Sequence, residues 1–214
     1  MSKATRHLLL VGATGVVGRQ VLAQALRDPR VGLVSALARR ELPAHPKLTT
    51  VRVDFEHLDA EAAWWRADAV ICTLGTTMRR AGSRPAFHRV DHDYPLMVAR
   101  LAHARGTRTY VLNSAIGADA RSRFFYNRVK GELEDALRQV GFDALALVRP
   151  GLIDGDRSES RPAERMMLAA LRTAAPLLPR RWRPNPAARI ASALLGAALL
   201  PSPGVSVIAA EQMA

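Results

Sequence analysis

The feature that most constrains this fold lies within the first twenty residues. Leu8-Leu9-Leu10-Val11 runs directly into Gly12-Ala13-Thr14-Gly15-Val16-Val17-Gly18. The apolar run has strand character, and Val16–Arg27 behind it repeats apolar side chains at helical spacing. A strand that passes through G-x-x-G-x-x-G into a helix reads as a phosphate loop. Glycine is needed where the chain turns tightly, where backbone approaches a pyrophosphate, and where helix packs against strand. The helix start then offers free N–H groups and the positive end of its dipole. The residues expected to hold the pyrophosphate are Gly12, Thr14, Gly15, Val16, Val17 and Gly18. The alternative is a tight turn without a ligand. Against it, the strand before, the helix after and the N-terminal position all agree.

The rest of the chain continues the alternation. Compact apolar runs predict strands at His7–Gly12, Val31–Ala38, Leu48–Val53, Ala69–Thr73, Thr109–Asn113 and Ala144–Arg149, each suited to a strand covered on both faces. Helical patterns fall at Val16–Arg27, Ala60–Arg66, Pro85–Arg105, Phe124–Val140, Ala163–Ala174 and Pro186–Leu199. This order predicts an α/β fold, a doubly wound, mostly parallel, Rossmann-like sheet. The 214 residues suit a single domain. After Pro150 the chain becomes rich in Pro, Arg and polar residues, with a last helix and a short strand, Val205–Ala209. Residues 151–214 read as a small C-terminal cap on the substrate side. Its loop, with Asp154, Arg157, Glu159 and Arg161, is expected to fold over the ligand.

The second strand distinguishes two dinucleotides. An NAD site usually places an acid about 20 residues past the loop to hold the ribose hydroxyls. Here the strand ends in Ala38-Arg39-Arg40, with no acid before Glu41. A guanidinium clamps a 2′-phosphate through paired hydrogen bonds, so the pair points to NADP(H). Two more surface arginines in an Arg-rich chain are the alternative. Asp54 and Phe55, just after the third strand, would lie near the adenine, and Asp54 reads equally well as a turn residue. Thr73 ends the fourth strand where the middle of the cofactor should run. Leu74 and Gly75 would cover it by backbone contact, and Pro150 would meet it beyond the sixth strand.

Tyr126-Asn127-Arg128-Val129-Lys130 puts a phenol and an ammonium at i and i+4, on one helical face. A free phenol ionises only near pH ~10, and a neighbouring ammonium favours the phenolate. Lys130 also has the reach to hold the ribose. Ser114 stands twelve residues before Tyr126 at a strand end, where its hydroxyl could orient a substrate carbonyl. Ser114, Tyr126 and Lys130 are the candidate catalytic residues. An aromatic core anchor and a solvated lysine are the alternative.

With these residues the chain resembles the short-chain dehydrogenase/reductase superfamily in its atypical branch. Several segments resemble the Tat-interacting-protein family of oxidoreductases within it. They are Cys72-Thr73-Leu74-Gly75-Thr76-Thr77, Val90-Asp91-His92-Asp93-Tyr94, Gly117-Ala118-Asp119, Val129-Lys130-Gly131-Glu132, Arg149-Pro150-Gly151 and Glu159-Ser160-Arg161-Pro162. The resemblance implies NADPH binding, a cytosolic protein and a reductase-like site. Such proteins often carry two serines where this chain has Asn113-Ser114.

Other chemistry is weaker. His88 and His92 stand at i and i+4 beside Asp91 and Asp93, and read as capping and helix-surface polarity, so no metal is expected. The single cysteine, Cys72, excludes an internal disulfide and reads as a small buried residue. Trp64-Trp65 should pack on the sheet. Met166, Met167, Leu168 and Leu171 form an apolar helix face, for which core packing is the commoner explanation. The net charge of +12 is almost wholly arginine. No Arg block is long or interleaved with aromatics, which argues against nucleic acid and leaves a protein partner open. No apolar run is long enough to span a membrane, and the N-terminal run is a strand rather than an export signal, so the cytoplasm is expected. The sequence leaves the oligomeric state undetermined. The expected activity is NADPH-dependent hydride transfer to or from a small carbonyl or alcohol substrate. The alternative is an NADPH-binding redox sensor that acts through a protein partner without turnover.

Overall fold

The computed structural model describes residues 5–154 and 183–214. A seven-stranded sheet, every pair parallel, has the order β3-β2-β1-β4-β5-β6-β9. Its strands are β1 (Arg6–Val11), β2 (Val31–Ala38), β3 (Leu48–Arg52), β4 (Ala69–Cys72), β5 (Thr109–Asn113), β6 (Ala144–Arg149) and β9 (Gly204–Ala209). A separate two-residue pair joins β7 (Ile153–Asp154) to β8 (Asn185–Pro186). The fold is the expected Rossmann-like α/β architecture.

Alternation along β1 builds two cores. Leu8 and Leu10 face one layer, with Val17, Val21 and Ala25 of α1 (Val16–Arg27) and Ile190, Ala191 and Leu194 of the C-terminal helix. Leu9 and Val11 face the other. There they join Trp65, Val98 and Ala99 of α4 (Tyr94–Ala104), and Leu133 and Leu137 of α5 (Phe125–Arg138). Each fully buried leucine contributes about 1.5–3 kcal/mol relative to exposure. Every side chain from Leu8 to Val11 is buried, because helices cover both faces of the central strand.

Three elements differ from expectation. The helix foreseen at Ala60–Arg66 is a single 3₁₀ turn, Ala63–Trp65, which buries Trp65. The long helix foreseen at Pro85–Arg105 is preceded by a short helix, α2 (Met78–Ala81), capped by Thr77. It begins as α3 (Arg84–His88), capped by Ser83, and passes through a π-helical turn, Arg89–Asp93, into α4. The last helix, α6 (Ala187–Leu199), packs against the sheet beside α1, and β9 extends the sheet next to β6. The cap expected over residues 151–214 is narrowed accordingly, since its last helix and strand belong to the main layers. The helix foreseen at Ala163–Ala174, with Met166, Met167, Leu168 and Leu171, lies outside the described residues, as do Arg157, Glu159 and Arg161.

Candidate functional site

The strand order reverses between β1 and β4, whose carboxyl ends form the crevice where ligands enter open α/β sheets. The glycine loop sits there. Gly12 has φ +89°, a left-handed conformation, and a Cβ on it would lie 2.7 Å from the Thr73 carbonyl carbon. A Cβ on Gly18 would lie 2.1 Å from Gly12 O. Only glycine lets helix, loop and β4 approach this closely. Thr73 locks the junction: its N–H donates to Val11 O at 2.8 Å. Its hydroxyl is shared between Val11 O (3.0 Å) and Gly12 O (3.1 Å). At the start of α1, Gly15 provides no side-chain cap and no acid stands in the first turn. The free N–H groups of that turn therefore face the loop, which suits an anion. These features fit a dinucleotide pyrophosphate.

Around this crevice the remaining cofactor candidates divide. Leu37 of β2 pairs with Val11 of β1, so exposed Arg39 and Arg40 emerge on the carboxyl edge beside the glycine loop. Asp54 is engaged in a turn, its carboxylate accepting from Glu56 N–H at 3.0 Å and meeting His57 Nδ1 at 3.1 Å. Those two contacts, the backbone one foremost, hold its carboxyl below the usual range. Phe55 is buried and stacked on Tyr94, with ring centroids 5.4 Å apart. Pro150 O accepts from Ile116 N–H at 2.8 Å, which ties the ends of β5 and β6 together. Cys72 is fully buried, and burial pushes its thiol up, which suits packing rather than nucleophilic attack.

Lys130 is 3% exposed and its Nζ lies 2.8 Å from Asp91 Oδ1, itself 1% exposed. Asp91 Oδ2 accepts the Thr76 N–H at 2.7 Å, and the loop passes over it at Gly75. Burial alone would lower the Lys130 ammonium; Asp91 and then the Tyr126 phenol outweigh it and lift the group above its ordinary value. Tyr126 is 42% exposed, one turn before Lys130, with its ring edge-on to Phe87 at 6.0 Å. Gly131 follows Lys130 for a steric reason. A Cβ there would lie 2.1 Å from Ala120 N, in the loop after β5.

Ser114 is turned elsewhere. It is buried at the end of β5, and its hydroxyl donates to Glu134 Oε1 at 2.6 Å. Glu134 also takes Arg149 Nε at 3.0 Å, a short second bond from Arg149 Nη2, and Arg138 at 3.5 Å. Glu134 stands one turn after Lys130, so one face of α5 carries both a buried cation and a buried anion. The sequence singled out neither Glu134 nor Gly131 by chemistry. An in-helix glycine beside a candidate catalytic lysine was the available signal for the second.

Among the described residues no helix is long and apolar enough to cross a membrane. The sequence profile of a family described as NAD(P)H-binding matches residues 12–167. The chain is 40% identical over 164 residues to Protein HTATIP2 of Rattus norvegicus, covering 74% of this chain and 67% of that protein. It is 37% identical over 172 residues to Protein fmp52, mitochondrial, of Emericella nidulans, covering 74% of this chain and 71% of that protein. A short-chain dehydrogenase/reductase family oxidoreductase from Burkholderia thailandensis shares the fold at TM-score 0.66 and 18% identity, over 98% of this chain and 93% of that one. The chain therefore belongs to the NAD(P)H-binding family and resembles HTATIP2.

Proposed function

We propose that this protein is an NADP(H)-dependent oxidoreductase acting on a small carbonyl or alcohol. The observation that carries this reading is the placement of an exposed phenol, Tyr126, one helical turn from the buried ammonium of Lys130. The glycine loop and the start of α1 hold the pyrophosphate, and Arg39 and Arg40 clamp the 2′-phosphate. Bound there, NADP(H) supplies or accepts the hydride. In the reducing direction Tyr126 gives its proton to the substrate oxygen as the carbonyl carbon gains the hydride. In the oxidising direction Tyr126 takes that proton back. Lys130 places its positive charge beside the reacting oxygen and reaches the ribose hydroxyls. Ser114 can donate to the substrate oxygen only after its hydroxyl turns away from Glu134.

The substrate side of the reading rests on exposed apolar groups. Met78, Ile116, Phe124 and Leu152 are all more than 40% exposed and all follow the carboxyl ends of β4, β5 or β6. That edge favours an apolar carbonyl compound. The reading takes the chain as a single domain, and its compartment as the cytoplasm. Cell fractionation tests the last point against the mitochondrial name of the fungal relative.

A second reading is a redox sensor that binds NADPH and a protein partner without turnover. The engagement of Lys130 by Asp91 and of Ser114 by Glu134 favours it, because both groups already hold partners. The net charge of +12 suits an acidic partner surface. Screening NADPH oxidation against carbonyl compounds separates the two. Turnover supports the enzyme. Tight NADPH binding with no carbonyl reduced, and partner affinity changed by the nucleotide, supports the sensor.

A further inference from the structure

We infer that His88, His92 and Asp93 form a binding site for a divalent transition metal ion of the zinc class. Three ligand atoms converge on one point. His88 Nδ1 lies 3.2 Å from Asp93 Oδ1, and His92 Nδ1 lies 2.8 Å from the same oxygen. One ligand atom from each of the three residues lies within 4.8 Å of the others. The two imidazole rings lie 4.4 Å apart between centroids, tilted by 33°. Nitrogen and oxygen ligands around zinc stand at about 2.0–2.1 Å from the ion, which sets tetrahedral edges of about 3.3 Å. The His88–Asp93 edge matches that length, and the His92–Asp93 edge, at 2.8 Å, has to open by about half an ångström to admit the ion. The third closes by a small rotation of partly exposed rings.

The π-helical turn makes the cluster. In an ordinary helix, positions i and i+5 point about 140° apart, so His88 and Asp93 would diverge. The wider turn at Arg89–Asp93 brings His88, His92 and Asp93 to one side and sends Asp91 inward to Lys130. Such turns occur frequently at functional sites. The sequence showed the two histidines beside Asp91 and Asp93 but no further clustered ligand, which is why no metal was expected from it.

A second carboxylate supports the assignment. His88 Nε2, the ring nitrogen away from Asp93, lies 3.7 Å from Glu132 Oε2 on α5. A histidine that ligates through one nitrogen commonly gives its other N–H to a carboxylate, which fixes the ring and raises its basicity; Glu132 stands at ion-pair distance from that nitrogen, beyond hydrogen-bond length, and has to close in to play that part. Asp93 and Glu132 together supply the negative charge that offsets a dication. Imidazole and carboxylate ligands suit zinc, and the open fourth position takes water. The site lies outside the nucleotide crevice and uses none of the residues assigned to hydride transfer.

The test is zinc titration of the full chain, freed of any affinity tag and stripped with chelator, followed by calorimetry. Cobalt substitution adds an absorption readout of coordination geometry. One ion per chain is expected, with tetrahedral-type cobalt bands. His88→Gln and His92→Gln should each weaken binding by about tenfold or more, since loss of even an outer-sphere partner costs about 10–100-fold. His57→Gln, at the separate Asp54 pair, should leave it unchanged. Circular dichroism and melting without metal should match wild type in all three variants, because the changed side chains are not core. Absence of saturable zinc binding would overturn the proposal and leave two imidazoles hydrogen-bonded to Asp93. Binding that survives in the His88→Gln, His92→Gln double variant would overturn it as well, by locating the ion elsewhere.

Discussion

Lys130 Nζ lies 2.8 Å from Asp91 Oδ1 in a nearly solvent-free setting, and the same carboxylate holds the Thr76 N–H. The pair joins α5, the π-helical turn and the loop after β4. Breaking one side leaves an uncompensated buried charge, which costs about 3–5 kcal/mol. Asp91→Asn and Lys130→Met should each destabilise by that order. The double variant should be less destabilised than the sum of the two. Denaturant titration of all four proteins measures this coupling, and additive losses would contradict a direct pair.

Two glycines in helices should respond oppositely to alanine. A Cβ at Gly131 meets backbone atoms of Ala120 and Asp119, which cannot rotate aside. Gly131→Ala should therefore destabilise by about 1–3 kcal/mol and disturb the loop after β5. Gly196, inside α6, has nothing within 4 Å of the added Cβ. Gly196→Ala should stabilise by about 0.5–1 kcal/mol, the helix cost of glycine. Thermal melting of both variants checks the contrast.

Cofactor preference follows from the edge of β2. If Arg39 and Arg40 clamp a 2′-phosphate, a charge-assisted bidentate contact contributes about 1.5–3 kcal/mol. NADPH should bind tenfold or more tightly than NADH, by the usual ~1.4 kcal/mol per tenfold. Fluorescence titration of wild type and of the Arg39→Ala, Arg40→Ala double variant tests this. Equal affinities in wild type, or an unchanged preference in the variant, would contradict the clamp.

His7 sets a pH dependence of stability. Burial lowers its pKa, outweighing the Arg66 backbone contact and the Asp68 charge, and its Nε2 sits 2.8 Å from Ser35 Oγ. In the unfolded chain it takes a proton near pH ~6.5, while the folded protein resists. Its contribution to stability is present above that pH and is lost as pH falls toward the lowered folded value. His7→Gln should flatten the loss of stability between about pH 7 and 5, read by denaturation at each pH. A loss as steep as wild type's would contradict it.

How much was legible before the structure depends on whether the signal was local. The bounds of β2, β5 and β6 are those the apolar runs predict, because buried parallel strands write themselves as continuous apolar segments. The glycine loop was legible for the same reason: its steric demands fall within seven residues of sequence. The π-helical turn was not, since a one-residue change in helical pitch leaves the apolar period almost intact. The Ser114–Glu134 bond and the Lys130–Asp91 pair join residues 20 and 39 positions apart, so only the packing of α5 on the sheet reveals them. The role of β9 was misassigned because a short terminal strand shows nothing in sequence of which neighbour it joins.

In the proposed mechanism Tyr126 moves the proton while the glycine loop and arginines hold the nucleotide. Tyr126→Phe keeps the ring and its contact with Phe87 and removes only the hydroxyl. The decisive measurement pairs NADPH affinity with the rate of NADPH oxidation on a carbonyl substrate that wild type reduces. Unchanged affinity is expected, with a rate lower by about 10²–10⁴, the contribution of a positioned general acid. Full turnover by Tyr126→Phe on that substrate would contradict it.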